Sequence, residues 1–132
     1  MAQSGYKELI AWQKAMELVA AIYDATEGFP SHEQFGLVNQ LRRAVVSVPS
    51  NIAEGKAHYS NRDFVRFLRH ARGSFAEIET QVLIAQQRKY LSSEIATQMA
   101  QKIDELGRIL SGLIKSLKVS EQPRDTGLRT QD

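Results

Sequence analysis

The stretch Gln40-Leu-Arg-Arg-Ala-Val-Val-Ser-Val-Pro-Ser-Asn-Ile-Ala-Glu-Gly55 decides the fold. Its apolar residues Leu41, Val45, Val48 and Ile52, joined by Val38 upstream, recur at spacings of three and four. That is one stripe of an α-helix and not the alternation of a strand. Pro49 falls inside the stripe, where it removes an amide donor and presses on the carbonyl four residues back, that of Val45. The stripe keeps phase across the proline, which predicts one continuous helix, kinked at Pro49 and ending at Gly55. Ser47, Ser50, Asn51 and Glu54 make this helix polar beside its apolar face. Ser and Asn side chains can satisfy backbone groups that a kink frees. Alternatively, Asn51 and Glu54 present hydrogen-bonding groups to a partner at the bend.

Three further segments carry the same period. Before it, Leu9, Trp12, Met16, Val19, Tyr23 and Thr26 form a stripe that Gly28 and Pro30 terminate. Ser31 and Gln34 then have the spacing of a capping box. After it, Ser60 and Asp63 form a similar cap, followed by Phe64, Phe67, Leu68, Ala71, Phe75, Ile78, Val82 and Ala85. This third helix is predicted to run ~27 residues, or ~40 Å, with Gly73 weakening it by about 1 kcal/mol relative to alanine. Ser92 is a good N-cap for a fourth helix, with Glu94 favourable to its dipole and Ile95, Met99, Ile103, Leu106, Leu110, Leu113 and Leu117 as its stripe. The expected fold is all-α, an up-down-up-down antiparallel four-helix bundle over residues 1–118, with 119–132 a disordered tail. Ile10, Leu18 and Ile22 widen the first stripe, and Ile109 and Ile114 the fourth. A wide stripe means either a fuller core or a second seam buried against another subunit.

Composition removes several classes of function. The chain has no cysteine, which excludes disulfides and thiolate metal sites. No apolar run approaches the roughly 20 residues of a membrane span, and no basic segment leads into an apolar run near Met1, so a cytoplasmic protein is expected. His32, His58 and His70 lack metal-ligand spacing among themselves, and the pair Glu54 and His58 is one mis-spaced fragment of a di-iron pattern. His-Glu-x-x-His, the phosphate-binding glycine loop and the Gly-x-Ser-x-Gly elbow are all missing. Neither an enzyme nor a cofactor is expected.

Charge is the remaining signal. The net charge is +2, yet Arg42, Arg43, Lys56, Arg62, Arg66, Arg69 and Arg72 face only Glu54 and Asp63 between positions 40 and 72, giving that segment +5. Arg62, Arg66 and Arg69 share one helix face, which Arg72 extends, and Arg42 and Arg43 are expected to approach from the neighbouring helix. A row of guanidiniums suits phosphate oxygens, which it grips bidentately. These seven are the candidate nucleic-acid-binding residues, against the alternative of a solvated face.

The stretch from Gln40 to Gly55, and above all Val-Pro-Ser-Asn-Ile-Ala-Glu-Gly, resembles the signature of the bacterial 23S rRNA intervening-sequence proteins. Pro49, Ser50, Asn51, Glu54 and Gly55 carry the motif. The resemblance extends through Tyr6-Lys7-Glu8-Leu9, Trp12, Phe64 to Leu68, Ala71, Gly73-Ser74, Glu77 to Gln81, Ala85 and Tyr90-Leu91-Ser92, and so spans about residues 6 to 118. It departs at Arg88-Lys89, where a glycine-containing turn is more usual. The resemblance implies a four-helix protomer in a homopentameric ring. The chain is also similar to the accessory variability proteins of diversity-generating retroelements, basic pentamers that bind nucleic acid and reverse transcriptase. The expectation is a non-enzymatic homo-oligomer, a pentamer, that binds RNA or DNA through its basic surface. The alternative is a scaffold that binds another polypeptide and has no nucleic-acid role.

Overall fold

The computed structural model describes residues 5–58 and 60–117; the expected tail, 119–132, lies outside them. The chain forms four helices, α1 (Ile10–Thr26), α2 (Leu37–Lys56), α3 (Asn61–Gln87) and α4 (Ser93–Ser116). Short 3-10 turns at Tyr6–Glu8 and Ser31–Glu33 precede α1 and α2, and there is no strand among the described residues.

The caps of α3 and α4 are those the sequence announces. Ser60 Oγ accepts the Asp63 amide and Ser92 Oγ accepts the Ile95 amide, each at 3.1 Å. The start of α2 differs from expectation. Ser31 and Gln34 do not cap it; Ser31 opens a separate 3-10 turn that Gln34 closes, and α2 begins after Gly36. Glu33 supplies the cap instead, its Oε1 accepting the Leu37 amide at 3.1 Å while its Oε2 accepts the Tyr90 hydroxyl at 2.9 Å. A carboxylate is the stronger acceptor at the positive end of a helix dipole. The Leu37 amide first, then the Tyr90 hydroxyl, hold the Glu33 carboxyl below the usual carboxylate range.

Between α3 and α4 the chain turns on Lys89, whose φ is 66°. The Tyr90 amide reaches back to the Ala85 carbonyl at 2.8 Å and the Lys89 amide to Gln86 at 2.9 Å, the paired bonds of a Schellman turn. That turn demands a left-handed residue, a conformation costly to any side chain with a Cβ. Lys89→Gly is therefore expected to raise stability by about 0.5–1 kcal/mol, read as a higher denaturant midpoint at unchanged m-value.

Each helix packs against its chain neighbours and α1 closes against α4. The links α2–α3 and α3–α4 are four and five residues, too short to return along helices of ~30–40 Å, so these neighbours are antiparallel. The cross-helix contacts give the same sense for α1: Thr26 at its end meets Arg42 near the start of α2, and Lys14 in its first half meets Glu105 in the second half of α4.

The core is one cluster drawn from all four helices. Leu41, Val45, Val48 and Ile52 of α2 are fully buried, and so are Leu68, Ile78, Leu106 and Leu110. Burial at such positions contributes roughly 1.5–3 kcal/mol for each side chain. The stripe assigned to α1 is corrected in part: Thr26 is buried as expected and Leu9, Trp12 and Val19 pack against the rim of the core, but the centre of the buried face lies elsewhere. Ala11, Ala15, Leu18, Ile22 and Thr26 face the core, whereas Met16 and Tyr23 are exposed and Leu9, Trp12 and Val19 only partly covered. The true stripe lies about a quarter turn from the expected one, at ~100° per residue. Both satisfy helical spacing, and small alanines at Ala11 and Ala15 allow neighbouring helices close enough to bury Leu18 and Ile22.

Candidate nucleic-acid interface

The helix α2 runs unbroken through Pro49, which is buried. The polar run around it is spent largely on its own backbone. Ser47 Oγ donates to the Ala44 carbonyl at 2.6 Å, Ser50 Oγ to Val46 at 2.8 Å, and Asn51 Nδ2 to Ser47 at 2.8 Å. This is the back-bonding that Ser and Asn perform in helices, although the satisfied carbonyls flank that of Val45. Ser47 also shares a 2.7 Å hydrogen bond with Ser74 Oγ of α3. Glu54 is exposed.

Gly55 has a different role from the one expected. It does not end α2, which continues to Lys56, and it is buried. A Cβ built there would lie 2.6 Å from Phe67 Cβ and 3.0 Å from Phe64 Cδ1. The glycine is needed because α3 passes directly over it. Further along the same seam, buried Gln81 donates to Gln40 Oε1 at 3.2 Å and Glu77 Oε2 at 3.3 Å. Its own Oε1 is buried without a hydrogen-bond partner. Spacing within one helix does not reveal such cross-helix pairs; the one available signal is a polar residue adjoining an apolar stripe, as Ser74 and Gln81 do.

The seven candidate cations do not form one surface. Arg42 turns to α1: its Nε donates to Thr26 Oγ1 at 2.9 Å, its Nη2 to the Tyr23 carbonyl at 3.3 Å, and its guanidinium lies 4.4 Å from the Tyr23 ring centroid. A cation there satisfies the last turn of α1 and its dipole. With Arg43 it sits roughly 20 Å along α2 from Lys56, at 1.5 Å per residue. The expectation that Arg42 approaches the α3 arginines is thus corrected, because its guanidinium is held by the end of α1; α3 runs antiparallel to α2 and meets Gln40 at Gln81.

The other five cations run from the end of α2 along the first half of α3. Lys56 Nζ lies 5.9 Å from the Phe64 ring centroid. Arg66 pairs with Asp63 at 3.6 Å and lies 4.6 Å over the Phe67 ring. Arg72 donates to Ser111 Oγ of α4 at 3.2 Å. Arg62, Arg66, Arg69 and Arg72 are all exposed. Asp63 is the only acid of α3 before Glu77, and ion pairs as exposed as Asp63–Arg66 neutralise little in water.

Among the described residues no group of three or more His, Asp or Glu side chains could hold a metal ion. Among the same described residues no helix is long and apolar enough to cross a membrane. The geometry defines an all-α four-helix bundle with a cation-rich face on the first half of its third helix.

The chain belongs to the family of 23S rRNA-intervening sequence proteins, whose model matches residues 7–112. It is similar in fold to a crystallised protein of unknown function from the S23 ribosomal protein family of Bacteroides thetaiotaomicron. The TM-score is 0.74 over 80% of this chain and 96% of that one, at 21% sequence identity. No curated protein matches.

Proposed function

We propose that the protein is a non-enzymatic homo-oligomer that binds nucleic acid, RNA or DNA, through the exposed cations of α3 and the end of α2. The observation that carries this reading is the run Arg62, Arg66, Arg69, Arg72 on one exposed side of a helix with a single acid, Asp63, among them. Guanidiniums so arranged meet successive phosphates. Arg42, engaged with the end of α1, is left out of the surface.

Self-association is supported by apolar side chains left outside the core. Met16, Tyr23 and Val46 are exposed along α1 and α2, and Leu83 and Ile84 on α3. Two different patches on one protomer suit head-to-tail contacts, which close into rings; the number five comes from the resemblance to pentameric proteins.

Four phosphate contacts predict that affinity falls roughly 50-fold for single strands and roughly 150-fold for duplex between 50 and 200 mM salt. Electrophoretic mobility of RNA and DNA unchanged by micromolar protein at low salt would sink the proposal. Light scattering should return a mass near five times the 14.9 kDa protomer; a monomer would remove the ring. The second reading, a scaffold for another polypeptide such as a reverse transcriptase, draws on the apolar groove between α1 and α2, lined by Trp12, Met16, Val19, Val46, Pro49 and Ala53. A complex that survives nuclease treatment would favour it.

A further inference from the structure

We infer that the end of the bundle where α2 passes into α3 binds single-stranded nucleic acid, stacking bases on planar side chains gathered around Phe67. The inference rests on the nucleic-acid reading above and adds the strandedness of the ligand and the groups that select it.

Phe67 is the starting point because it is a large apolar residue that the hydrophobic core does not use. It is half-buried, with its Cβ against Gly55, and it stands outside the core cluster that takes in Phe64 and Phe75. Three planar groups surround its ring instead. The His58 imidazole lies 4.9 Å away at an interplanar angle of 75°, His70 lies 6.3 Å away, and the Arg66 guanidinium is 4.6 Å over the ring. His58, His70 and Arg66 are all exposed, so their outer faces are open to a ligand. Gly73, three residues beyond His70, leaves the helix surface bare, with nothing within 4 Å of where its Cβ would be.

The chemistry of this set is more specific than positive charge. Phosphates need cations, which Lys56, Arg62 and Arg66 supply, and any acidic partner would be served equally by them. Planar imidazole and guanidinium faces interleaved with those cations suit the exposed bases of a single strand. A duplex hides those faces in its own stack and presents only phosphates to such a surface. Both RNA and DNA single strands offer the shared chemistry of unstacked bases on a phosphodiester backbone.

The test is fluorescence anisotropy on the full chain with labelled U12 and dT12 single strands and a 12-base-pair duplex, titrated against salt. Single strands should bind at least 10-fold more tightly than the duplex, U12 and dT12 alike. Arg66→Lys, which keeps the charge but loses the plane, and the double variant His58→Ala/His70→Ala should each weaken single-strand binding roughly 5- to 100-fold. The histidine variant should leave duplex binding and the salt slope unchanged, whereas Arg66→Lys, at a residue that also meets phosphate, should weaken single strands more than duplex at an unchanged slope. Arg62→Ala should weaken both ligands alike and reduce the salt slope by about one. Equal binding of single strand and duplex overturns the inference. So does single-strand binding indifferent to Arg66→Lys and the histidine variant while Arg62→Ala still weakens it; the nucleic-acid reading then survives alone. If no ligand binds at low salt, both fall. The histidines and Arg66 are exposed, so these variants fold, which an unchanged circular dichroism melt verifies.

Discussion

Leu18→Ala is expected to destabilise the protein by about 2–5 kcal/mol, the range for truncating a fully buried leucine. Leu18 is 1% exposed and sits in the one core cluster. Shortening it removes transfer free energy and leaves a cavity that close-packed helices cannot refill. Met16→Ala, two residues earlier, is the matched control. Met16 is 42% exposed, and the change is expected to stay within about 0.5 kcal/mol in the protomer. The expected stripe of Leu9, Trp12, Met16, Val19, Tyr23 and Thr26, with Leu18 only on its flank, implies the reverse ranking. Urea melts of the two variants decide between the two faces of α1: a larger loss for Met16→Ala would mean that the helix is rotated in solution.

Gly55→Ala is the second large effect. One methyl group would lie 2.6 Å from Phe67 Cβ and 3.0 Å from the Phe64 ring, and Phe67 Cβ moves only with the α3 backbone. The seam must open, at a cost of about 1–3 kcal/mol for overpacking, or about 4–12 °C in Tm for a chain of this size. Gly73→Ala is the internal comparison. A Cβ at Gly73 meets nothing within 4 Å, so alanine should add about 1 kcal/mol through helix propensity. Two glycine-to-alanine changes in adjacent helices should therefore move Tm in opposite directions. A neutral or stabilising Gly55→Ala would refute the close approach of α2 and α3. The Gly55 substitution should also disturb the surface around Phe67, linking the family motif to the cation-rich face.

Much of the architecture was legible in the residues themselves. Ser60 and Ser92 cap the helices they were expected to cap, because a side-chain oxygen three residues before an amide donor is a local arrangement. The stripe of α2 is buried as read, because Val38, Leu41, Val45, Val48 and Ile52 occupy one face with polar residues beside it. The stripe of α1 was not legible. That helix is apolar on more than one face, so local spacing admits two stripes. Which one is buried depends on how closely Ala11 and Ala15 let the neighbours approach. The N-terminal cap of α2 was misplaced for a similar reason: Glu33 is fixed partly by Tyr90, 57 residues away, and no local pattern contains that hydroxyl.

The candidate site divides along the same line. Charge, helical phase and the run Arg62, Arg66, Arg69, Arg72 are properties of consecutive residues, and the sequence by itself determined them, along with the four helices and the family motif. The tertiary structure alone decided which cations stand together. It drew Arg42 to the end of α1 and brought His58 beside Phe67. It also turned Gly55 from an expected helix end into a point of close approach between two helices. The physical reason is range. Helical period and capping act within a turn or two, whereas the contacts that assemble a surface depend on helix sense, rotation and the volume of side chains from distant parts of the chain.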